Sequence, residues 1–171
     1  MHIYLYTIPD DDLPHLSIPV YGEDHQTAFV LRKNPHRLLT NVFHHMSSTG
    51  LPYCYMAVSP DDYPIFKIDH PLSGVGYTIQ SMHSQRKSKI DQYHVQPVEK
   101  AQTFRLDGGD FYFGKDYTGA GMLTRDDEKI AKIENVDIIQ ANSARRFRIE
   151  AKDDESASLI AILYHTFNEA P

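Results

Sequence analysis

Short apolar and aromatic runs alternate along this chain with clusters of Pro, Gly and Asp, a rhythm that predicts strands. In His2–Ile8, Ile3, Leu5 and Thr7 fall on one face and Tyr4, Tyr6 and Ile8 on the other, and the run stops at Pro9 and "DDD". Leu16–Tyr21 follows, with Pro19 marking an edge or a bulge because proline has no N–H for a ladder. After the turn "GED" comes Thr27–Lys33. "LLTNVFHHM", from Leu38 to Met46, fits helical spacing as well as strand alternation. Tyr53–Ser59 and Tyr63–Asp69 read as a hairpin about Pro60-Asp61-Asp62. Gly76–Met82 is a further strand, "HSQRKSKID" a polar basic loop, and Gln92–Val98 is expected to pair back. "AQTFRLDGGDFYFGK" holds two alternating strands around Asp107-Gly108-Gly109, a strong hairpin signal. "AGMLTRDDEKIAKIEN" repeats the arrangement around Asp126-Asp127-Glu128. "SARRFRIEAK" closes the series, with Phe147 and Ile149 on one face and Arg146 and Arg148 on the other. About eleven or twelve short strands, spaced by roughly 8–12 residues, are the pattern of a sandwich or barrel.

The last apolar run breaks this pattern. "ESASLIAILYHTF", Glu155–Phe167, follows Asp153 and Asp154, both good N-cap residues, and Glu155 suits the positive end of a helix dipole. Wound at helical pitch, Ala157, Ile160, Ala161 and Tyr164 form one face, and Leu159, Ile162, Leu163 and Phe167 cover most of the rest. A helix that is apolar nearly all round must be enclosed by protein or lipid. Lipid is the weaker choice: a spanning helix needs about 20 apolar residues and this run has roughly a dozen. A central strand with two apolar faces is the remaining alternative. The preferred reading is a buried helix over about 154–167, with Leu159, Ile160, Ile162, Leu163 and Phe167 as its core. In an otherwise all-β chain, the axis of a closed barrel is the natural place for it. The 171 residues are then one domain spanning 1–171.

These elements, in this order, resemble the tubby C-terminal-like superfamily, which includes the tubby proteins, the phospholipid scramblases, the plant LURP-one-related proteins and small bacterial relatives. The likeness covers most of the chain. It rests on "YPIFKIDHP", similar to the strands of scramblase-like repeats, on "GYTIQSM", on "DFYFGKDYTGAGMLTRDDEKIAKIEN" and on the terminal "SLIAILYHTF". The resemblance implies a twelve-stranded β-barrel threaded by a hydrophobic C-terminal helix, in a member of the small bacterial type. It also implies a non-enzymatic binding role. The longer helix and acylated cysteine runs of the eukaryotic scramblases are absent, so lipid transport is not implied. Tubby proteins bind phosphoinositide headgroups through a Lys/Arg pocket; that motif does not align residue by residue here, and no site residue is carried over.

Charge and chemistry narrow the reading. The net charge of −6 argues against a dedicated nucleic-acid binder. One cysteine, Cys54, excludes an internal disulfide and a Cys-rich zinc site, and its apolar neighbours suit a packed thiol. The N-terminus has neither the basic nor the apolar region of a signal peptide, so the cytoplasm is expected, with peripheral membrane attachment as an extension. His44 and His45 would point to opposite faces of a strand, and no HExxH or H-x-H spacing occurs, so no metal is expected. "DGGDFYFGKDYTGAG" is explained by hairpin turns rather than by a phosphate loop. No nucleophile elbow or paired catalytic carboxylates are present, so neither enzyme chemistry nor a cofactor is expected.

Basic residues gather at Arg32, Lys33 and Arg37, at Arg86, Lys87 and Lys89, and at Arg145, Arg146 and Arg148. If the fold joined the last two groups they would form a patch for an anionic phospholipid headgroup or an acidic protein. Solvated charges balanced by "DDD" and "DDE" are the plainer reading. The acidic total also suits a second role, an immunity- or inhibitor-type protein that binds a protein partner.

Overall fold

The computed structural model describes residues 1–9, 16–34, 53–70, 76–94, 100–139 and 144–168. Thirteen strands form one antiparallel sheet: β1 His2–Ile8, β2 Ser17–Tyr21, β3 Thr27–Asn34, β4 Cys54–Val58, β5 Pro64–Asp69, β6 Thr78–Ser81, β7 Lys87–Lys89, β8 Asp91–His94, β9 Lys100–Leu106, β10 Gly109–Lys115, β11 Gly121–Arg125, β12 Glu128–Ile139 and β13 Ala144–Ala151. Among the described residues one helix, α1, spans Asp154–Asn168. The segment Leu38–Met46 lies outside the described residues.

The sheet order is β7-β6-β5-β4-β3-β2-β1-β13-β12-β11-β10-β9-β8. Two meanders, β1 to β7 and β8 to β13, are therefore joined by β1 against β13, which pair from His2↔Ala151 to Ile8↔Arg145. The sheet curls until β7 lies beside β9, a nearly closed barrel. At the seam the chain changes partner about Ile90: Lys87–Lys89 bonds to β6, and Asp91–His94 bonds to β9. This corrects two expectations. Part of the supposed basic loop is a strand, and it is Lys87–Lys89, not the run from Gln92, that returns onto Thr78–Ser81. Charged and polar side chains hid β7, because its strand pairing depends on backbone bonds rather than on an apolar face.

Period-two alternation sorts each strand into a wall side and a core side. Tyr4, Tyr6 and Ile8, Phe29 and Leu31, Phe111 and Phe113, and Phe147 and Ile149 are all buried inside. The outer wall carries ion pairs such as Lys132–Glu134 at 2.5 Å and Arg148–Glu150 at 2.8 Å. Asp107 and Gly108, at φ 51° and 81°, make the two-residue turn between β9 and β10, a conformation that favours glycine in the second place.

The interior is filled by α1, which packs on β3, β4 and β5 on one side and β11, β12 and β13 on the other. Ser156 to Thr166 are all buried. The Asp153 carboxylate caps the first turn, accepting the Ser156 N–H at 2.7 Å, and its carbonyl accepts the Ala157 N–H at 3.0 Å. The buried-helix expectation holds, with Leu159, Ile160, Ile162 and Leu163 in the core and Phe167 packed partly buried against it. Among the described residues no helix is long and apolar enough to cross a membrane.

Candidate functional site at the two barrel ends

Four polar side chains of α1 bond to the wall. Tyr4 donates its hydroxyl to Asp154 at 2.6 Å near the helix start, and Tyr6 bonds His165 Nε2 at 2.6 Å near its end. The Tyr55 N–H donates to the Thr166 hydroxyl at 3.1 Å, and the Tyr164 hydroxyl donates to the Gly119 carbonyl at 3.1 Å. β1 therefore runs alongside the helix in the same direction. Because the strands alternate in direction, every second connection falls at the same end.

His165 lies edge-on to Phe147, Tyr164 and Tyr6, with ring centroids 4.9, 5.3 and 5.7 Å away, and tilted against Tyr55. Burial, then the nearby positive charges of Arg145 and Lys115, pushes its pKa down to about 3. The Tyr6 hydroxyl is driven well up by burial, so the pair is neutral. In the unfolded chain a histidine titrates near 6.5, so its native pKa is depressed. Its contribution to stability is whole above pH ~6.5 and is lost as pH falls toward ~3, because only the unfolded chain takes the proton in that window. Urea titrations across that window should show unfolding coupled to proton uptake. His165→Gln should flatten the dependence by up to about one proton, or ~1.4 kcal/mol per pH unit at most. An unchanged slope would mean that His165 is charged in the fold.

At the helix C-terminal end the interior turns cationic. The Lys115 ammonium donates to the Phe167 carbonyl at 3.3 Å and lies over the Tyr164 ring at 5.3 Å. Cations are favourable against the last carbonyls of a helix. Arg145, on the inward face of β13, acts electrostatically on both Tyr164 and His165, and its Nε is buried without a hydrogen-bond partner among the described residues. Gln102 Oε1 is the other buried side-chain atom without one among the described residues. Beside them projects the β10–β11 turn. Asp116 ties it down by accepting from Thr118 Oγ1 at 2.5 Å, Thr118 N at 2.8 Å and Ala120 N at 3.1 Å, which also holds its pKa below the usual carboxylate range. At the tip, Tyr117 is 95% exposed.

The fold does not bring the two expected basic groups together. Arg86, Lys87 and Lys89 lie at β7, and Arg145, Arg146 and Arg148 lie on β13, with six strands between them one way round and four the other, across the seam where β7 lies beside β9. Arg148 is held between Glu134 and Glu150, Lys89 pairs with Asp91 at 3.1 Å, and Arg86 approaches Asp107 at 4.0 Å. Arg146 is exposed on the outer wall while its neighbour Arg145 turns inward. Sequence reasoning grouped those two with Arg148 but had no signal for Lys115, whose role depends on the helix end beside it. Cys54 is buried, and burial pushes its pKa up to about 12, so at neutral pH it is a thiol. Among the described residues no three His, Cys, Asp or Glu side chains form a metal-binding group.

The other end is acidic. The turns that meet there bring Glu23, Asp24, Asp61, Asp62, Asp107, Asp126, Asp127 and Asp153 together around the helix start at Asp154 and Glu155. Arg32 pairs with Asp62, Arg125 with Asp126 at 3.7 Å, and Lys152 with Glu128 at 2.6 Å. Glu23, Asp24, Asp153, Asp154 and Glu155 line a cleft of about 960 Å³ with no such counter-ion among the described residues. The charges of Asp154, Asp153 and Glu23, after burial and the Asp154 hydrogen bond, help push the Tyr4 hydroxyl upward.

A nearly closed antiparallel barrel with a capped apolar helix along its axis defines a helix-threaded β-barrel class. The family model described as Tubby C-terminal like domain matches residues 4–169, and the chain belongs to that family. Comparison with curated proteins and with solved structures returned no match.

Proposed function

We propose that this chain is a non-enzymatic binding barrel that takes an anionic phospholipid headgroup at the helix C-terminal end. The observation that carries the reading is Arg145, whose Nε is buried with no acceptor among the described residues, beside Lys115 and with Arg146 exposed on the same strand. A guanidinium with an unused donor is a ready partner for phosphate oxygens. Tyr117, exposed on a turn that Asp116 holds rigid, suits the headgroup level, where amphipathic rings are favoured. The acidic opposite end would be repelled by an anionic surface, so the charge distribution orients the barrel with Tyr117 toward it. On this reading the protein works at the cytoplasmic face of a membrane as a peripheral binder.

Co-sedimentation with phosphatidylcholine vesicles, with and without phosphatidylserine, tests this at low and physiological salt. Wild type should pellet only with the anionic vesicles and less at higher salt. Arg145→Ala/Arg146→Ala should weaken binding by roughly fivefold per charge, on the scale of ~1 kcal/mol for each basic residue. No binding, or equal binding to neutral vesicles, would remove the lipid reading. The acidic end favours a second reading, an inhibitor-type protein that binds a basic partner.

A further inference from the structure

Beside the helix start lies a second cleft, of about 360 Å³, with apolar side chains on its floor and carboxylates on its rim. Phe66, Leu106, Phe111, Ile130 and Leu159 line it between the wall and α1. Its rim holds Asp107, Asp126, Glu128, Asp153 and Glu155. The cations that reach the same rim are engaged: Lys152 with Glu128, Arg125 with Asp126 and Arg86 with Asp107. Arg125 lies folded across the opening, its guanidinium 5.5 Å from the centre of the Phe111 ring. Its Nε comes within 2.5 Å of where a Cβ on Gly109 would be, so the absent side chain makes room for this posture.

The two clefts flank the first turn of α1 and share Asp153 and Glu155. We propose that this end docks a basic polypeptide segment of a partner protein, with a bulky apolar side chain seated on the Phe111–Ile130–Leu159 floor. The Lys or Arg residues of the segment run over Glu155, Asp154 and Asp24. A cavity of this size is in the range that buries a large side chain or a small ligand. An aromatic anchor in such a pocket supplies affinity, and the surrounding charge supplies steering and register. An anionic occupant is disfavoured, because carboxylates already fill the positive end of the helix dipole. The proposal gives the partner chemistry for the inhibitor-type reading and rests on that reading; it uses the end opposite to the lipid surface.

Fluorescence anisotropy with three labelled synthetic peptides tests it on the full chain. One is Lys/Arg-rich with a single Trp, the second has that Trp replaced by Gly, and the third keeps the Trp but replaces the basic residues by Glu. The first should bind in a salt-sensitive manner, and the other two about tenfold more weakly or not at all. Glu155→Lys, and independently Asp24→Lys away from the helix, should weaken the first peptide about tenfold without weakening vesicle binding. Arg125→Ala should strengthen it by clearing the floor and removing a rim cation. Equal binding of the Trp and Gly peptides would overturn the anchor, and with it the proposal, while leaving an acidic surface for some other basic partner. Competition by N-acetyltryptophanamide as effective as the peptide itself would make the cleft a small-molecule pocket and would equally overturn it.

Discussion

Ile160→Asp should yield a chain without a cooperative unfolding transition. Ile160 is fully buried at the middle of α1, with strands on both sides of the helix. A carboxylate there meets only apolar surroundings, and an unpaired buried charge costs several kcal/mol or forces local opening. Domains of this kind have only about 5–15 kcal/mol in total. Since the helix fills the barrel, the sheet has no alternative core to collapse on. Ile160→Val, which removes one methyl group, should cost about 0.5–1.5 kcal/mol and keep a sharp transition. Circular dichroism through urea titration separates the two. A soluble Ile160→Asp protein with a sharp, wild-type-like midpoint would sink the barrel-core account.

Gly121→Val should be the next most damaging change. A Cβ at this position would meet Ile133 Cγ2 at 2.7 Å, Tyr164 Cδ2 at 2.8 Å and Phe113 Cε2 at 3.0 Å. The missing side chain is what lets α1 lie against β11 and lets the Tyr164 hydroxyl reach Gly119. Overpacking of this kind costs about 1–3 kcal/mol, and here three neighbours in a closed interior must shift together. Gly121→Ala should act in the same direction but less. Ile133→Ala, which removes the clashing Cγ2, should cost less in that background than in wild type, since the substitutions share one contact. Midpoints from thermal or urea unfolding read this directly, and a neutral Gly121→Val would mean the helix has room to move.

Much of this architecture was legible in the order of residues, and for local reasons. Alternation in "HIYLYTI" and "RRFRI" marked strands, because successive side chains on a strand must face opposite ways. The Asp-Gly and Asp-Asp turns marked hairpins, because those residues tolerate positive φ, as Asp107, Asp126 and Asp127 do. Asp153 before an all-round apolar run marked a helix that had to be enclosed. β7 was missed because its three residues carry no apolar signal. The functional surfaces were much less legible. The basic residues at 86–89 and 145–148 look equivalent as text, yet half a barrel separates them.

By itself, then, the sequence determined which segments are strands, where most of them turn, and that the last element is a helix needing a wall around it. Those are properties of neighbouring residues and act within a few positions of one another. The tertiary structure alone decided that Tyr4, Tyr6 and Ile8 face inward, since both faces of that strand carry apolar side chains and only the helix selects between them. It decided the closure of β1 on β13, the meeting of Tyr6 with His165 across 159 positions, and the exposure of Arg146 beside a buried Arg145 Nε. It also gathered carboxylates from separate turns at one end and left cations at the other. The reason is that strand direction alternates around a meander, so residues far apart in the chain share an end only once the sheet has closed around its helix.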